Sequence, residues 1–249
     1  MMLKPFDYYS PRTLDDLFDI LDEENVVVFT GGTELFTRIR KGLSHPKIVV
    51  DLKRIDELWF FSFDRGKGLT IGATLTLSEV IESPVVKKLY PILFKCCLAI
   101  GTPELRNKAT VVGNICSGFL TADTIPVLLL YNCSLEILGR CGRRSISLSD
   151  FLSLSERLKK GEIVASIFIP CLEVAKGNYY RFKEGLKRPS FGVAYVKFDN
   201  SLKISICDEF LGFWLLRSLE ELGLFLKKYS AKIDERKVLL LERVLKELS

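Results

Sequence analysis

The chain has 249 residues, 48% of them hydrophobic, and a formal net charge of +5 spread over interleaved acidic and basic side chains. That is enough apolar material for two or three compact units, and the absence of any block of like charge excludes a nucleic-acid arm. No apolar run approaches the roughly 20 residues of a bilayer span, and Met1–Pro5 lacks a secretory-signal pattern, so the expected compartment is the cytoplasm. The seven cysteines are odd in number and include no Cys-x-x-Cys, and the single histidine, His45, precedes Pro46 in a polar turn. A disulfide framework, a self-contained zinc or iron–sulfur site and a histidine-based triad are excluded, and no catalytic or metal-ligating residue is assigned.

In chain order, Phe6–Ser10 reads as extended. Thr13 caps a helix with Asp16 three residues on, and Leu14, Leu17, Phe18 and Leu21 form its apolar face. Val26–Phe29, mostly β-branched and bounded by charges and glycines, reads as a buried strand. The turn Thr30-Gly31-Gly32-Thr33-Glu34-Leu35 follows, then a short helix through Leu35 and Ile39 ending near Gly42, then a strand at Ile48–Leu52. This is a compact βαβ unit. Its glycine turn lies between a strand end and a helix start, where unpaired N–H groups and the helix dipole attract phosphate. It is neither Gly-x-Gly-x-x-Gly nor a nucleoside-triphosphate loop ending in Gly-Lys-Ser/Thr.

Beyond Asp56, Trp59–Phe63 and Leu69–Gly72 pair as a hairpin around Asp64–Gly68. Thr76-Leu-Ser-Glu79 is a capping box opening another helix, and Pro91–Ala99 forms a further one. From Ile100 to Asp123 the chain starts and ends like a loop around an apolar middle. Ala109, Thr110, Gly113, Ser117 and Gly118 let a backbone pass close to a bulky ligand, while Thr110, Asn114 and Asp123 add short polar side chains. That suits a polyanionic, polyhydroxylated cofactor, although the same residue types also build ordinary tight turns.

Val127–Leu130 continues a buried helix and Ser134–Leu138 is a strand, with Arg143–Arg144 in the turn after it, read as solvated rather than phosphate-binding. Glu162–Ile169 is a strand closed by Pro170, and Glu173–Gly177 is a domain joint. Strands at Asn178–Lys183, Val193–Phe198 and Leu202–Cys207 precede two amphipathic helices, the last carrying Leu241, Val244, Leu245 and Leu248. Core packing is the reading for both helices, with docking to a partner subunit as the alternative.

Taken in order, Gly31-Gly32-Thr33-Glu34-Leu35, Lys41-Gly42, Val50-Asp51-Leu52, Ile71-Gly72-Ala73, Arg106-Asn107, Thr110-Val-Val-Gly-Asn114, Ala122-Asp123-x-x-Pro126, Asp150-Phe151, Glu162-Ile163 and Phe182-Lys183 carry a family likeness. The chain resembles the FAD-binding (medium) subunits of molybdenum hydroxylases, of the xanthine dehydrogenase and carbon monoxide dehydrogenase type. The resemblance implies an α+β fold: a two-subdomain FAD-binding fold of the p-cresol methylhydroxylase type, at 1–55 and 56–174, plus a short C-terminal α/β domain at 175–249. It implies that Phe29, Thr30, Gly31, Gly32, Thr33, Glu34 and Leu35 hold the pyrophosphate and ribityl region of FAD, and that Thr110, Gly113 and Asn114 complete the cradle. It further implies that Asp123 hydrogen-bonds the cofactor, that Ile100 and Val164 pack on or near the flavin, and that Lys183 lies close to the isoalloxazine. Lys183 also reads as a solvated strand residue. Two phosphates buried without a Lys or Arg would need many N–H donors, which a Gly-Gly turn and a helix start supply.

The implied role is electron transfer, from a partner's 2Fe-2S subunit through FAD to an acceptor such as NAD, with substrate oxidised on a separate molybdopterin subunit. Two features depart from the family pattern: Val112 stands where a glycine is usual, and only about 70 residues follow Gly177. They motivate a rival, a non-catalytic scaffold or assembly subunit of the same fold that has lost flavin. A self-sufficient flavin oxidase is disfavoured, because no substrate domain or acid–base pair is visible.

Overall fold

The computed structural model describes residues 5–172, 174, 176–185, 187–198 and 201–248. The N-terminal part contains β1 (Asp7–Tyr9), α1 (Leu14–Leu21), β2 (Val26–Phe29), α2 (Leu35–Arg40) and β3 (Ile48–Asp51), with the strands parallel in the order β1-β3-β2. Thr13 Oγ1 accepts from the Asp16 N–H at 3.1 Å, and the face it starts buries Leu17, Phe18 and Leu21. β2 departs from the expectation of a buried strand and is half-buried throughout. It is an edge strand, and Val27, Val28 and Phe29 form part of a cleft wall.

The central part opens with β4 (Phe61–Asp64) and β5 (Gly68–Gly72), then runs through α3 (Leu77–Glu82), α4 (Pro84–Leu89), α5 (Pro91–Ala99), α6 (Pro103–Arg106), α7 (Val111–Ile115) and α8 (Thr124–Leu130). It closes with β6 (Ser134–Gly139), β7 (Gly142–Ser147), α9 (Leu148–Ser153) and β8 (Ile163–Pro170), giving an antiparallel sheet in the order β4-β5-β8-β6-β7. The capping box of Thr76 and Glu79 is formed on both sides. α6 and α7 lie inside the stretch expected to be loop-like, and Thr110 supplies the cap that starts α7 despite the poor helix propensity of Val-Val-Gly. Arg143 and Arg144 are residues of β7, not of a turn, because β6 and β7 pair through Gly139 and Gly142 and turn at Arg140–Cys141. Arg144 forms a two-point pair with Glu162, at 2.9 and 2.7 Å, which holds the end of β8 to the β6–β7 hairpin.

The C-terminal part is an antiparallel sheet in the order β12-β11-β10-β9, built from β9 (Lys176–Phe182), β10 (Phe191–Lys197), β11 (Leu202–Asp208) and β12 (Gly212–Leu216), followed by α10 (Leu219–Tyr229) and α11 (Glu235–Leu248). β12 was not expected. Of the joint expected at Glu173–Gly177, Glu173 and Ala175 lie outside the described residues, and Gly177 is already in β9. Strand alternation makes β10 buried on both faces. Phe191, Val193 and Tyr195 join Leu222, Phe225, Leu241 and Val244 of the helices, whereas Ala194 and Val196 join the large core shared by the first two sheets. α8 packs on that second face, where Gly192 leaves room for Pro126: a Cβ there would stand 2.9 Å from Pro126 Cγ. The C-terminal sheet is thereby seated against α5 and α8, the helices that flank the second glycine-bearing stretch.

Candidate functional site

The two glycine-bearing stretches meet. The Thr30 and Thr110 hydroxyls, from residues 80 positions apart and both buried, share a hydrogen bond of 2.8 Å. Thr110 Oγ1 also accepts from the Gly113 N–H at 2.9 Å, so one side chain caps α7 and ties the loops together. A Cβ on Gly31 would run into Lys108 O and lie 2.8 Å from Ala109 Cα, and one on Gly113 would lie 2.8 Å from Thr110 Oγ1 and 3.0 Å from Thr30 Oγ1. These glycines were expected to let backbone approach a ligand; their contacts here are loop against loop. Gly32, at φ +66°, takes the left-handed turn that leads into α2.

Around this junction opens a cleft of about 1310 Å³. Every residue that the family resemblance assigns to the cofactor lines it: Phe29 to Leu35 from the first loop, Ile100 from the end of α5, Thr110, Gly113 and Asn114 from α7 and its cap, Asp123 before α8, Val164 on β8 and Lys183 after β9, whereas Gly118 does not. The volume exceeds the ~300–1,000 Å³ of pockets for single small molecules and suits a dinucleotide. Among the described residues, none accepts a hydrogen bond from the N–H groups of Gly31, Gly32, Thr33, Glu34 or Leu35. Successive free donors on a cleft wall are a place for anionic oxygens. α2 and α7 have only 6 and 5 residues, so individual N–H groups matter more here than an aligned macrodipole.

Val112 is buried in the right-handed backbone of α7; the non-glycine residues with positive φ among those described are Asn25 and Asn132. Its β-branched side chain imposes no strained backbone angle. Asn114 Oδ1 accepts from the Thr124 N–H (3.2 Å) and hydroxyl (2.6 Å), which orients the amide and leaves Nδ2 without a partner among the described residues. Asp123 is 6% exposed, and its Oδ1 accepts from Tyr179 Oη (2.8 Å) and Arg181 Nη1 (2.5 Å). Burial pushes the Tyr179 phenol well up from its ordinary value, with Cys96 and Asp123 adding to it, so the phenol stays a donor. Burial pulls the Arg181 guanidinium down, but the Asp123 carboxylate outweighs it and the net direction is up.

Arg38, Lys41, Arg181, Lys187 and Arg188 line the cleft beside Lys183, so the cleft that holds those N–H donors also has basic side chains on its wall. Arg188 lies over the Phe119 ring at 3.3 Å and pairs with Glu34 at 3.8 Å. Arg181 is the residue that sequence reasoning missed. In sequence it looks like any polar position of the strand before Phe182-Lys183, and only the fold brings it to Asp123. Lys183 is exposed at the cleft and has no described hydrogen bond or ion pair. Among the described residues no cluster of His, Cys, Asp and Glu could hold a metal ion, and no helix is long and apolar enough to cross a membrane.

Residues 4–172, more than half of the chain, match the family described as the FAD binding domain in molybdopterin dehydrogenase. The chain belongs to this family. This FAD-binding domain is 30% identical over 145 residues to the putative xanthine dehydrogenase FAD-binding subunit of Escherichia coli, covering 58% of the chain and 50% of that protein. It is 22% identical over 210 residues to the nicotinate dehydrogenase FAD-subunit of Eubacterium barkeri, covering 81% of the chain and 70% of the relative. The chain thus spans about half the length of the E. coli relative. In fold it is similar to carbon monoxide dehydrogenase from Hydrogenophaga pseudoflava, with a TM-score of 0.77 at 22% identity over 89% of this chain and 81% of that one. The α+β architecture expected from the resemblance is the one observed, and the cofactor of the domain is FAD.

Proposed function

We propose that this chain is the FAD-carrying subunit of a cytoplasmic molybdenum hydroxylase of the xanthine dehydrogenase and carbon monoxide dehydrogenase type. In this reading it takes electrons from the 2Fe-2S clusters of one partner subunit, which is reduced by a molybdopterin subunit, and passes them to an acceptor such as NAD. The observation that carries the reading is the union of the free N–H groups of Gly31–Leu35 with the Thr110–Asn114 segment in one cleft, through the Thr30–Thr110 hydrogen bond.

FAD, when bound, supplies the redox chemistry. The chain's residues fit that cofactor. The N–H groups of residues 31–35 would hold the diphosphate, Asn114 Nδ2 would donate to and Asp123 would accept from its hydroxyl-bearing part, and Ile100 and Val164 offer apolar surface that excludes water from a ring. Lys183 carries a positive charge that would favour added electrons in a neighbouring flavin. The chain is divided as residues 1–55 and 56–174, which clasp the cofactor, and 175–249, which closes the cleft from the side. Val112, one of the two features that motivated a flavin-free scaffold, sits in ordinary helical backbone and introduces no strained angle there.

Purification tests the reading. A yellow protein that releases FAD on denaturation, is bleached by dithionite and copurifies with a 2Fe-2S and a molybdopterin subunit supports it. A colourless protein that ignores added FAD contradicts it.

A further inference from the structure

We infer that Arg181 is a positioning residue for FAD, acting through Asp123. This rests on the placement of the cofactor in the cleft proposed above. Tyr179 and Arg181 stand two apart on β9, and strand alternation directs both to the same side, where both donate to Asp123 Oδ1. A carboxylate turns freely about its Cβ–Cγ bond, and two donors on one oxygen fix which edge it presents. Asp123 Oδ2 accepts from no described residue, yet it is not among the buried side-chain atoms without a partner, in a residue that lines the cleft. That oxygen is the acceptor left for a ligand hydroxyl.

The other arm of the guanidinium reaches a second point of the wall. Arg181 Nη2 donates to Ala99 O at 2.5 Å, in the residue just before Ile100, while Arg106 Nη1 holds Ile100 O at 2.9 Å. One side chain of the C-terminal sheet therefore sets both the Asp123 acceptor and the apolar wall at Ile100. A lysine could supply the charge but not the two-armed geometry.

The test is a double-mutant cycle on flavin-free protein titrated with FAD, with flavin fluorescence as the readout and the thermal midpoint of each apoprotein as the folding control. Arg181→Gln and Asp123→Ala are each expected to raise Kd about tenfold, as for loss of one hydrogen bond to a charged group. The double variant is expected to bind no worse than the weaker single, within about threefold, because the two changes remove one interaction. Arg181→Lys should fall between wild type and Arg181→Gln, and the cycle is run with it should Arg181→Gln not fold. A wild-type apoprotein that takes no FAD overturns both the cofactor placement and this inference. Wild type that binds FAD, with affinity unchanged in the Arg181 variant or with fully additive losses in the cycle, overturns this inference alone.

Discussion

Replacing Thr110 by valine keeps the volume and shape of the side chain while removing the one oxygen that serves both loops. Two losses follow from the structure. The Gly113 N–H loses its cap at the start of α7, which costs about 1 kcal/mol. The Thr30 hydroxyl, only 8% exposed, loses its partner, which costs a further ~1–3 kcal/mol. The sum is about 3 kcal/mol, or a fall of roughly 6–12 °C in Tm for a chain of this size. Urea unfolding of flavin-free protein is the assay, since bound ligand would add its own stabilisation and mask the difference. Thr110→Ser keeps the oxygen and should stay within about 1 kcal/mol of wild type, whereas Thr30→Val and Thr110→Val together should cost less than the sum of the two alone. FAD retention should fall along with stability as the loops separate. Thr110→Val within about 0.5 kcal/mol of wild type would refute the claim that this hydroxyl joins the loops.

Gly31→Ala should destabilise by about 1–3 kcal/mol and weaken FAD binding, because the added methyl meets backbone of Lys108 and Ala109 and not a side chain that can turn aside; urea unfolding and FAD titration check it, and an unaffected variant would show that the loops have slack. Asn114→Leu should weaken FAD retention and also cost about 1 kcal/mol of stability, since Thr124 loses the acceptor for its N–H at the start of α8; a variant with full flavin content after gel filtration counts against the assigned cradle. Glu162 offers a pH test: its hydrogen bonds to Arg144, outweighing burial, hold its carboxyl at about 2 against an ordinary 4.5. A depressed folded-state value means stability present above about pH 4.5 and lost as pH falls towards 2. The stability difference between wild type and Glu162→Gln should therefore shrink over that window, and a difference constant with pH would contradict it.

Much of the N-terminal part was legible because its signals are local. Thr13 caps within three residues, β-branched residues mark β2 and β3, and Gly42, at φ +70°, ends the intervening helical turn. The exposure of β2 was not legible, because an edge position against a cleft depends on which strand pairs with which. α7 escaped for the opposite reason: Val-Val-Gly-Asn-Ile is a weak helix former, and its start is held by Thr110, whose hydroxyl also bonds a residue far away in the chain. The two glycine-bearing stretches were found through short glycine and polar motifs, whereas Ile100, Val164 and Lys183 were named only through the family resemblance; the fold gathers both sets in one cleft. Arg181 carries no such mark, since its role depends on the seating of β9 beside α5 and Asp123.

The central claim is that the N–H groups of the Gly31–Leu35 turn grip a dinucleotide diphosphate beside the Thr110–Asn114 segment. A crystal structure of the FAD-loaded protein tests it most directly. The account predicts diphosphate oxygens within hydrogen-bond distance of several of the five N–H groups from Gly31 to Leu35, with Asn114 and Asp123 beside the same FAD molecule. FAD bound elsewhere, or in this cleft with its diphosphate turned away from those N–H groups, would contradict it.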